Sequence, residues 1–156
     1  MGEKMNIQKH YDEVLKFNKI GKSFDEPFEA VCLYVDLIKE ELAETITALH
    51  ATGDSVELLD GACDVFVVTC GLLQAMEKAG FNVDEALRRV TKNNNDKFVP
   101  SLFMSDYPSD YSFEDNEEYG VIVIKDNKGK IRKPIGFESV ILDDLVPDNF
   151  FGGDNV

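Results

Sequence analysis

Residues 37–73 read LIKEELAETITALHATGDSVELLDGACDVFVVTCGLL, and this stretch decides the fold. Its first half continues a pattern that begins near Pro27. Phe28, Val31, Cys32, Val35, Ile38, Leu42, Ile46 and Leu49 recur at the helical period and predict a long helix over about 27–51. Gly53 stops it. Asp54, with Glu57 three residues on, has the form of a capping box and opens a further helix. That helix carries Val56, Leu59, Cys63, Phe66, Val67, Cys70, Leu73 and Met76 and runs to Ala79–Gly80. Its middle, VFVVTCGLL, is apolar almost all round, which predicts a place at the centre of a bundle or of a dimer. The periodic stretch is too long for the β-strand that VFVV alone would allow.

Outward from this pair the helical pattern persists. Ile7, Tyr11, Val14 and Phe17 predict a first helix over 6–20 with one buried face, ended by Gly21. Asp25 is placed to cap the following helix, and Pro27 suits its first turn. Asn82 and Glu85 repeat the capping pattern before a short fourth helix at 83–93. Residues 100–118, with two prolines and several Asp, Ser and Tyr, read as a loop. Val121 and Val123, then DNKGK, then Ile131 fit two short strands joined by a turn at Gly129. The tail SVILDDLVP can dock on the bundle, and FFGGDNV reads as frayed. The expectation is an all-α, four-helix bundle with a small C-terminal β-hairpin. It is expected as a single domain over 1–156, with its helical core at about 6–98 and the loop, hairpin and tail at 99–156.

The chain has 156 residues, 44% of them hydrophobic, which is enough for one real core. Its formal charge of −14 repels a nucleic-acid backbone and excludes duplex binding as a leading reading. The same charge suits a protein that gathers divalent cations, since carboxylates are hard oxygen ligands. Cys32, Cys63 and Cys70 form no CxxC pair, and all fall on apolar stretches. They read as buried free thiols in a reducing cytoplasm. No apolar run reaches membrane-spanning length, and MGEKMNIQKHYDEV lacks the apolar core of a signal peptide. The expected location is the cytoplasm.

The chemistry-bearing residues are Glu40, Glu41 and Glu44 on the second helix, with Asp60 and Asp64 on the third. Glu40 and Glu44, and likewise Asp60 and Asp64, are four apart, so each pair shares a helix face. The short link at Gly53 predicts that the two helices run antiparallel and touch, which would let the acids converge. Converging carboxylates repel one another, and a hard divalent cation removes that cost. The plainer reading is a solvated acidic face. Against it stands the position of these charges beside VFVVTCGLL, where they are costly without a ligand.

These motifs resemble the core of the all-α nucleoside triphosphate pyrophosphohydrolases. That superfamily holds the MazG-like enzymes, the dimeric dUTP and dCTP pyrophosphatases, and phosphoribosyl-ATP pyrophosphohydrolase. Its hallmark is EExxE followed, on the next helix, by ExxD. Glu40, Glu41 and Glu44 match the first element, and Asp64 matches the closing Asp. The Glu expected three before Asp64 is Gly61, with Asp60 as substitute and Glu57 as a backup ligand. KNNNDKF resembles the family's Asn-x-x-Lys-Phe segment and maps onto Asn94, Lys97 and Phe98; GKIRKP resembles the hairpin of phage-type members. The resemblance implies Mg²⁺, or Mn²⁺, held by Glu40, Glu41, Glu44, Asp60 and Asp64, with Glu41 or Glu44 as the base. It implies phosphate and sugar contacts from Asn94 and Lys97, and a base pocket at the first helix with Phe17, Asn18 and Phe24 as walls. The substrate would be a small nucleotide, the assembly a homodimer or homotetramer, and a phage member would act in its host's cytoplasm. Housecleaning of the nucleotide pool and supply of a modified nucleotide both fit.

Lys22, in GKSF, can reach a phosphate, although a surface lysine is the simpler reading. Arg88 and Arg89 carry at most a weak phosphate role. His10 and His50 lack an HExxH-type pattern and read as surface residues. No Walker A, GxGxxG or triad motif occurs. Two rivals remain. One is phosphoribosyl-ATP pyrophosphohydrolase itself, whose second element is a clean ExxD. The other is a non-catalytic helical interaction protein with a solvated acidic face. A di-iron bundle would need two ExxH motifs, and neither histidine follows a glutamate at that spacing.

Overall fold

A computed structural model describes residues 4–151. The chain divides into two compact units. One holds the residues up to Val83 together with the segment from Leu145 onward, and the other is Asp84–Asp144.

The first unit is built on three helices, α1 (Ile7–Ile20), α2 (Pro27–Thr47) and α3 (Ser55–Lys78). Asn6 caps α1, accepting the Lys9 amide at 3.0 Å. Pro27 sits at the start of α2 as expected. The residue before it is Glu26 rather than Asp25, and it makes no side-chain cap. A π-helical turn, Ala48–Thr52, prolongs α2, and Gly53 closes it in the left-handed conformation that favours glycine. Asp54 then caps α3, accepting from Val56 and Glu57 at 2.8 and 3.1 Å.

The helices α2 and α3 run antiparallel and approach closely because small residues line their seam. A Cβ at Gly71 would overlap the Tyr34 ring, and one at Gly61 would stand 2.6 Å from Thr45 Oγ1. Ala30, Tyr34, Val68 and Ala75 form the core, with Phe24, Leu37, Ile38 and Leu72 packed against it. This corrects the predicted helix faces. The buried positions of α1 are Val14 and Asn18, four apart, whereas Phe17 is 73% exposed. Leu42 and Ile46 of α2, Leu49 of the π-helical turn, and Val56, Leu59 and Val67 of α3 point away from the seam and are exposed. Several large apolar side chains thus lie on the outside, and the small ones allow the helices to meet. Cys70 is buried, but Cys32 and Cys63, expected inside, lie on these outer faces.

The chain returns to this unit at its end. Asn82 donates its backbone N–H to the Leu145 carbonyl at 2.9 Å. The Phe150 ring stacks on Phe28 and Phe81 at centroid distances of 5.4 and 4.9 Å, so it is anchored rather than frayed. The last five residues of the predicted frayed tail lie outside the described residues.

The second unit contains α4, which spans Val83–Asn95, and an antiparallel hairpin of β1 (Ser112–Asn116) and β2 (Val121–Lys125). The hairpin is displaced from its predicted register. Its first strand, SFEDN, comes from the segment read as loop, and Phe113 pairs with Ile124. Ile131, expected in a strand, makes only an isolated bridge with Lys125 beyond the Asp126–Gly129 turn. Ile124 is fully buried and forms the centre of this small unit. Arg89 locks it, donating to both carboxylate oxygens of Asp144 at 2.7 and 2.8 Å and to Glu85 at 2.8 Å. No described helix is long and apolar enough to cross a membrane.

Candidate active site

The acidic residues come together across the α2–α3 seam. Tyr34 meets Gly71 and Thr45 meets Gly61. This antiparallel register sets Glu41, midway on α2, opposite Asp64 on α3. Glu41 is half-buried, and its carboxyl is pushed above the usual range, first by loss of hydration and then by the negative charges of Asp64, Glu44, Glu40 and Asp60. The other four predicted acids therefore all bear on Glu41. Among the described residues no lysine or arginine pairs with any of them.

Glu44, Glu57, Asp60 and Asp64 line one cavity of about 480 Å³, floored by Gly61. The sequence ranked Glu57 as a reserve, yet it faces the same space as the others. Gly61 shows why the family's glutamate is missing here. At this position α3 rests on Thr45, whose hydroxyl donates to the Glu41 carbonyl at 2.8 Å, and a longer side chain has no room. Asp60, one residue earlier, lines the cavity.

The donor set suits a hard cation, because every candidate ligand is a carboxylate and the charges repel one another without a counter-ion. Among the described residues no three acidic, histidine or cysteine side chains are grouped closely enough, as they stand, to hold an ion. His10 and His50 are exposed and stand apart from any such group.

The other predicted contacts fall in two places. Asn18 and Lys22 line a second cavity of the first unit, of about 430 Å³, with Phe24 and Gln74; Phe17 does not line it. Asn18 is nearly inaccessible and accepts the Tyr34 hydroxyl hydrogen. Asn94 and Lys97 belong to the second unit, where Lys97 Nζ donates to Asn94 Oδ1 at 2.7 Å. Arg88 and Arg89 are both committed to Glu85. Sequence reasoning missed Gln74. Its signal was a lone amide inside the apolar run GLLQAM, at a position that should hold a hydrophobe.

A mostly helical fold with an EExxE helix packed on an acid-bearing, apolar-cored partner is that of the MazG-like nucleotide pyrophosphohydrolases. The profile of the phosphoribosyl-ATP pyrophosphohydrolase family matches residues 17–94, half of the chain, and the protein belongs to that family, which is part of the MazG-like superfamily. Searches of curated proteins and of solved structures return no match. The family supports a nucleotide pyrophosphohydrolase activity in general.

Proposed function

We propose that the protein hydrolyses a (deoxy)nucleoside triphosphate to the monophosphate and pyrophosphate. The observation that carries this reading is the cavity at the α2–α3 seam lined by Glu44, Glu57, Asp60 and Asp64, beside a Glu41 that feels the charge of its acidic neighbours, with no described cation to balance them. Glu40, Glu41, Glu44, Asp60 and Asp64 would hold Mg²⁺, or Mn²⁺, with Glu57 able to join from the cavity wall. The bound ion would neutralise phosphate charge and polarise a water. Glu44 lines the cavity and Glu41 stands behind it, half-buried among like charges and so disposed to take up a proton. One of these two would accept the water's proton as its oxygen attacks a phosphorus of the α–β linkage, and pyrophosphate departs. Asn94 and Lys97 are assigned to the phosphates and sugar by their match to the family segment. Nucleotide-pool control and modified-nucleotide supply are both compatible with this chemistry.

We place the working enzyme in a homo-oligomer. Val56 and Leu59 are 78% and 68% exposed on α3, beside exposed Leu42 and Ile46 of α2 and Leu49 of the π-helical turn. So much apolar surface on α2, the π-helical turn that holds Leu49 and α3 calls for a covering partner. A sedimentation profile at monomer mass would overturn that assignment.

The chemistry is tested by pyrophosphate release from a panel of common and modified (d)NTPs, with Mg²⁺ and with EDTA, for wild type and Glu44→Gln. The expected outcome is release that requires the cation and falls by at least about a hundredfold in the variant. No release from any nucleotide, with a variant as stable as wild type, would leave an acidic interaction bundle as the better account.

A further inference from the structure

We propose that the tip of the β1–β2 hairpin in one copy of the protein docks on the outer face of α1 in a second copy. The contact is acidic and aromatic on the hairpin side, basic and apolar on the helix side. It uses a different surface from the apolar α2–α3 face assigned above to the homo-oligomer, and it is independent of the hydrolase reading.

The helix side begins with a local reversal of charge. Residues 4–22 hold five lysines and two acids, in a chain of net charge −14. Val14 and Asn18 turn one face of α1 into the fold. On the opposite face Lys9, Lys16 and Ile20 follow one another at spacings of seven and four, and Phe17 adjoins Ile20 three residues away. Phe17 and Ile20 are 73% and 75% exposed. Asp12 accepts a hydrogen bond from Gln8 at 2.8 Å. Among the described residues no lysine of α1 forms an ion pair. A basic stripe ending in two bare apolar side chains is thus left uncovered.

The hairpin side is the reverse. Residues 104–120 hold six acids and no lysine or arginine. Of the six, only Glu114 is ion-paired among the described residues, with Lys125 at 2.7 Å. The turn at 117–120 joins β1 to β2, and Gly120 closes it at a φ of 64°. Asn116 Oδ1 accepts the Tyr119 amide at 3.3 Å, so a side chain of the hairpin itself holds the turn. The tip presents Asp115, Glu117 and Glu118 to solvent around a Tyr119 side chain that is 72% exposed. Behind it the two strands are paired, with Ile124 fully buried, and keep the tip in place.

The two surfaces complement each other in charge and in chemistry. Exposed ion pairs are individually weak, so lysine–glutamate pairs alone would not hold two molecules. Tyr119 against Phe17 and Ile20 supplies the buried aromatic centre on which interface affinity concentrates, and the charges form a rim that steers the encounter and penalises wrong pairings. A membrane or nucleic acid of negative charge would meet the lysines but be repelled by the rest of a chain at −14. A second copy brings the acidic counterpart on a surface the protein already carries. Each copy holds both surfaces, so two copies make the contact twice about a two-fold axis. Lys9, Lys16 and the whole hairpin lie outside residues 17–94, so the family match does not account for them.

The test is sedimentation of the full chain in about 0.1 M and about 1 M salt, between which the screening length falls from about 10 Å to about 3 Å. The expected result is an assembly at low salt that loses mass at high salt. Lys9→Glu with Lys16→Glu, and separately Glu117→Lys with Glu118→Lys, should each show the high-salt mass already at low salt, because each sets like charges against one another. An equimolar mixture of the two variants should regain the larger mass, since each then offers the other the charge it lacks. All four positions are exposed, and circular dichroism checks that both variants fold. A wild-type mass indifferent to salt, folded variants that keep the wild-type mass, or a mixture that stays small would each overturn the proposal. Recovery in a chain carrying all four substitutions, without recovery in the mixture, would put the contact inside one chain and overturn it likewise. Monomer mass at high salt with assembly at low salt would remove the apolar oligomer assignment and leave this contact standing.

Discussion

Glu41 and Glu85 are both glutamates on helices, and the molecule treats them in opposite ways. Glu85 in the second unit accepts from Arg88 at 2.6 Å and from Arg89 at 2.8 Å, and these cations hold its carboxyl down at about 2. Glu41 in the first unit faces four other carboxylates, and its carboxyl is pushed up. Acids placed to hold a fold together are supplied with cations by the chain itself. Acids left with one another are not, and the proposed cation would supply that charge. The difference separates a structural acidic cluster from a candidate catalytic one, where a count of charges alone would not.

The largest way to break this contrast is to crowd the first region further. Gly61→Glu restores the family's literal motif, yet the new side chain meets Thr45 at the seam. The expected cost is about 1–3 kcal/mol in chemical denaturation, with no gain in Mn²⁺ affinity. An unchanged midpoint with tighter Mn²⁺ binding would mean the seam has slack and Asp60 is not the substitute.

A smaller effect compares the two glutamates directly. Glu85→Gln should lower the thermal midpoint in EDTA, since it weakens the anchors of Arg88 and Arg89. Glu41→Gln should raise it by relieving repulsion. Both shifts should shrink in 1 M salt, where charges are screened beyond about 3 Å. Shifts of the same sign would dissolve the contrast.

The smallest effect is in the pH dependence. The folded-state value of Glu85 is lowered from 4.5 to about 2, so its stabilisation is full above 4.5 and lost as pH falls through about 2. Glu41 has a raised folded-state value, so its contribution is full below 4.5 and lost as pH rises through the raised value. Carboxyl titration by NMR in EDTA should find Glu85 protonating last and Glu41 early. The reverse order would show that solvent screens both clusters alike.

Much of the helical frame was legible because its signals are local. Pro27, Gly53 and Asp54 punctuate the chain through backbone geometry that a single residue dictates. The nearness of the other four acids to Glu41 was legible because helical spacing and one antiparallel pairing place them there. The inward faces of α2 and α3 were not, since hydrophobic periodicity points to the largest side chains. Here Val31, Ile38 and Cys70 do face inward, but Leu42, Ile46, Val56, Leu59 and Val67 face outward, and Ala30, Gly61, Gly71 and Ala75 let the helices meet. Strand β1 was missed because SFEDN is polar, four of its five residues are exposed, and only its pairing with VIVIK makes it a strand. Gln74 was missed because its meaning depends on Tyr11 and Asn18, more than fifty residues away.

The contact between Gly61 and Thr45 also constrains the order in which this sequence can change. A glutamate at 61 is harmful while Thr45 stands, because the threonine hydroxyl occupies the space a Cβ would need. Thr45→Gly opens that space but gives up the hydroxyl's bond to the Glu41 carbonyl. Each substitution alone is expected to cost stability, and only together do they open a route to the motif. Under the proposed metal site, change at position 61 is blocked by this contact, and Glu57 and Asp60, which already line the cavity, are the positions open to it.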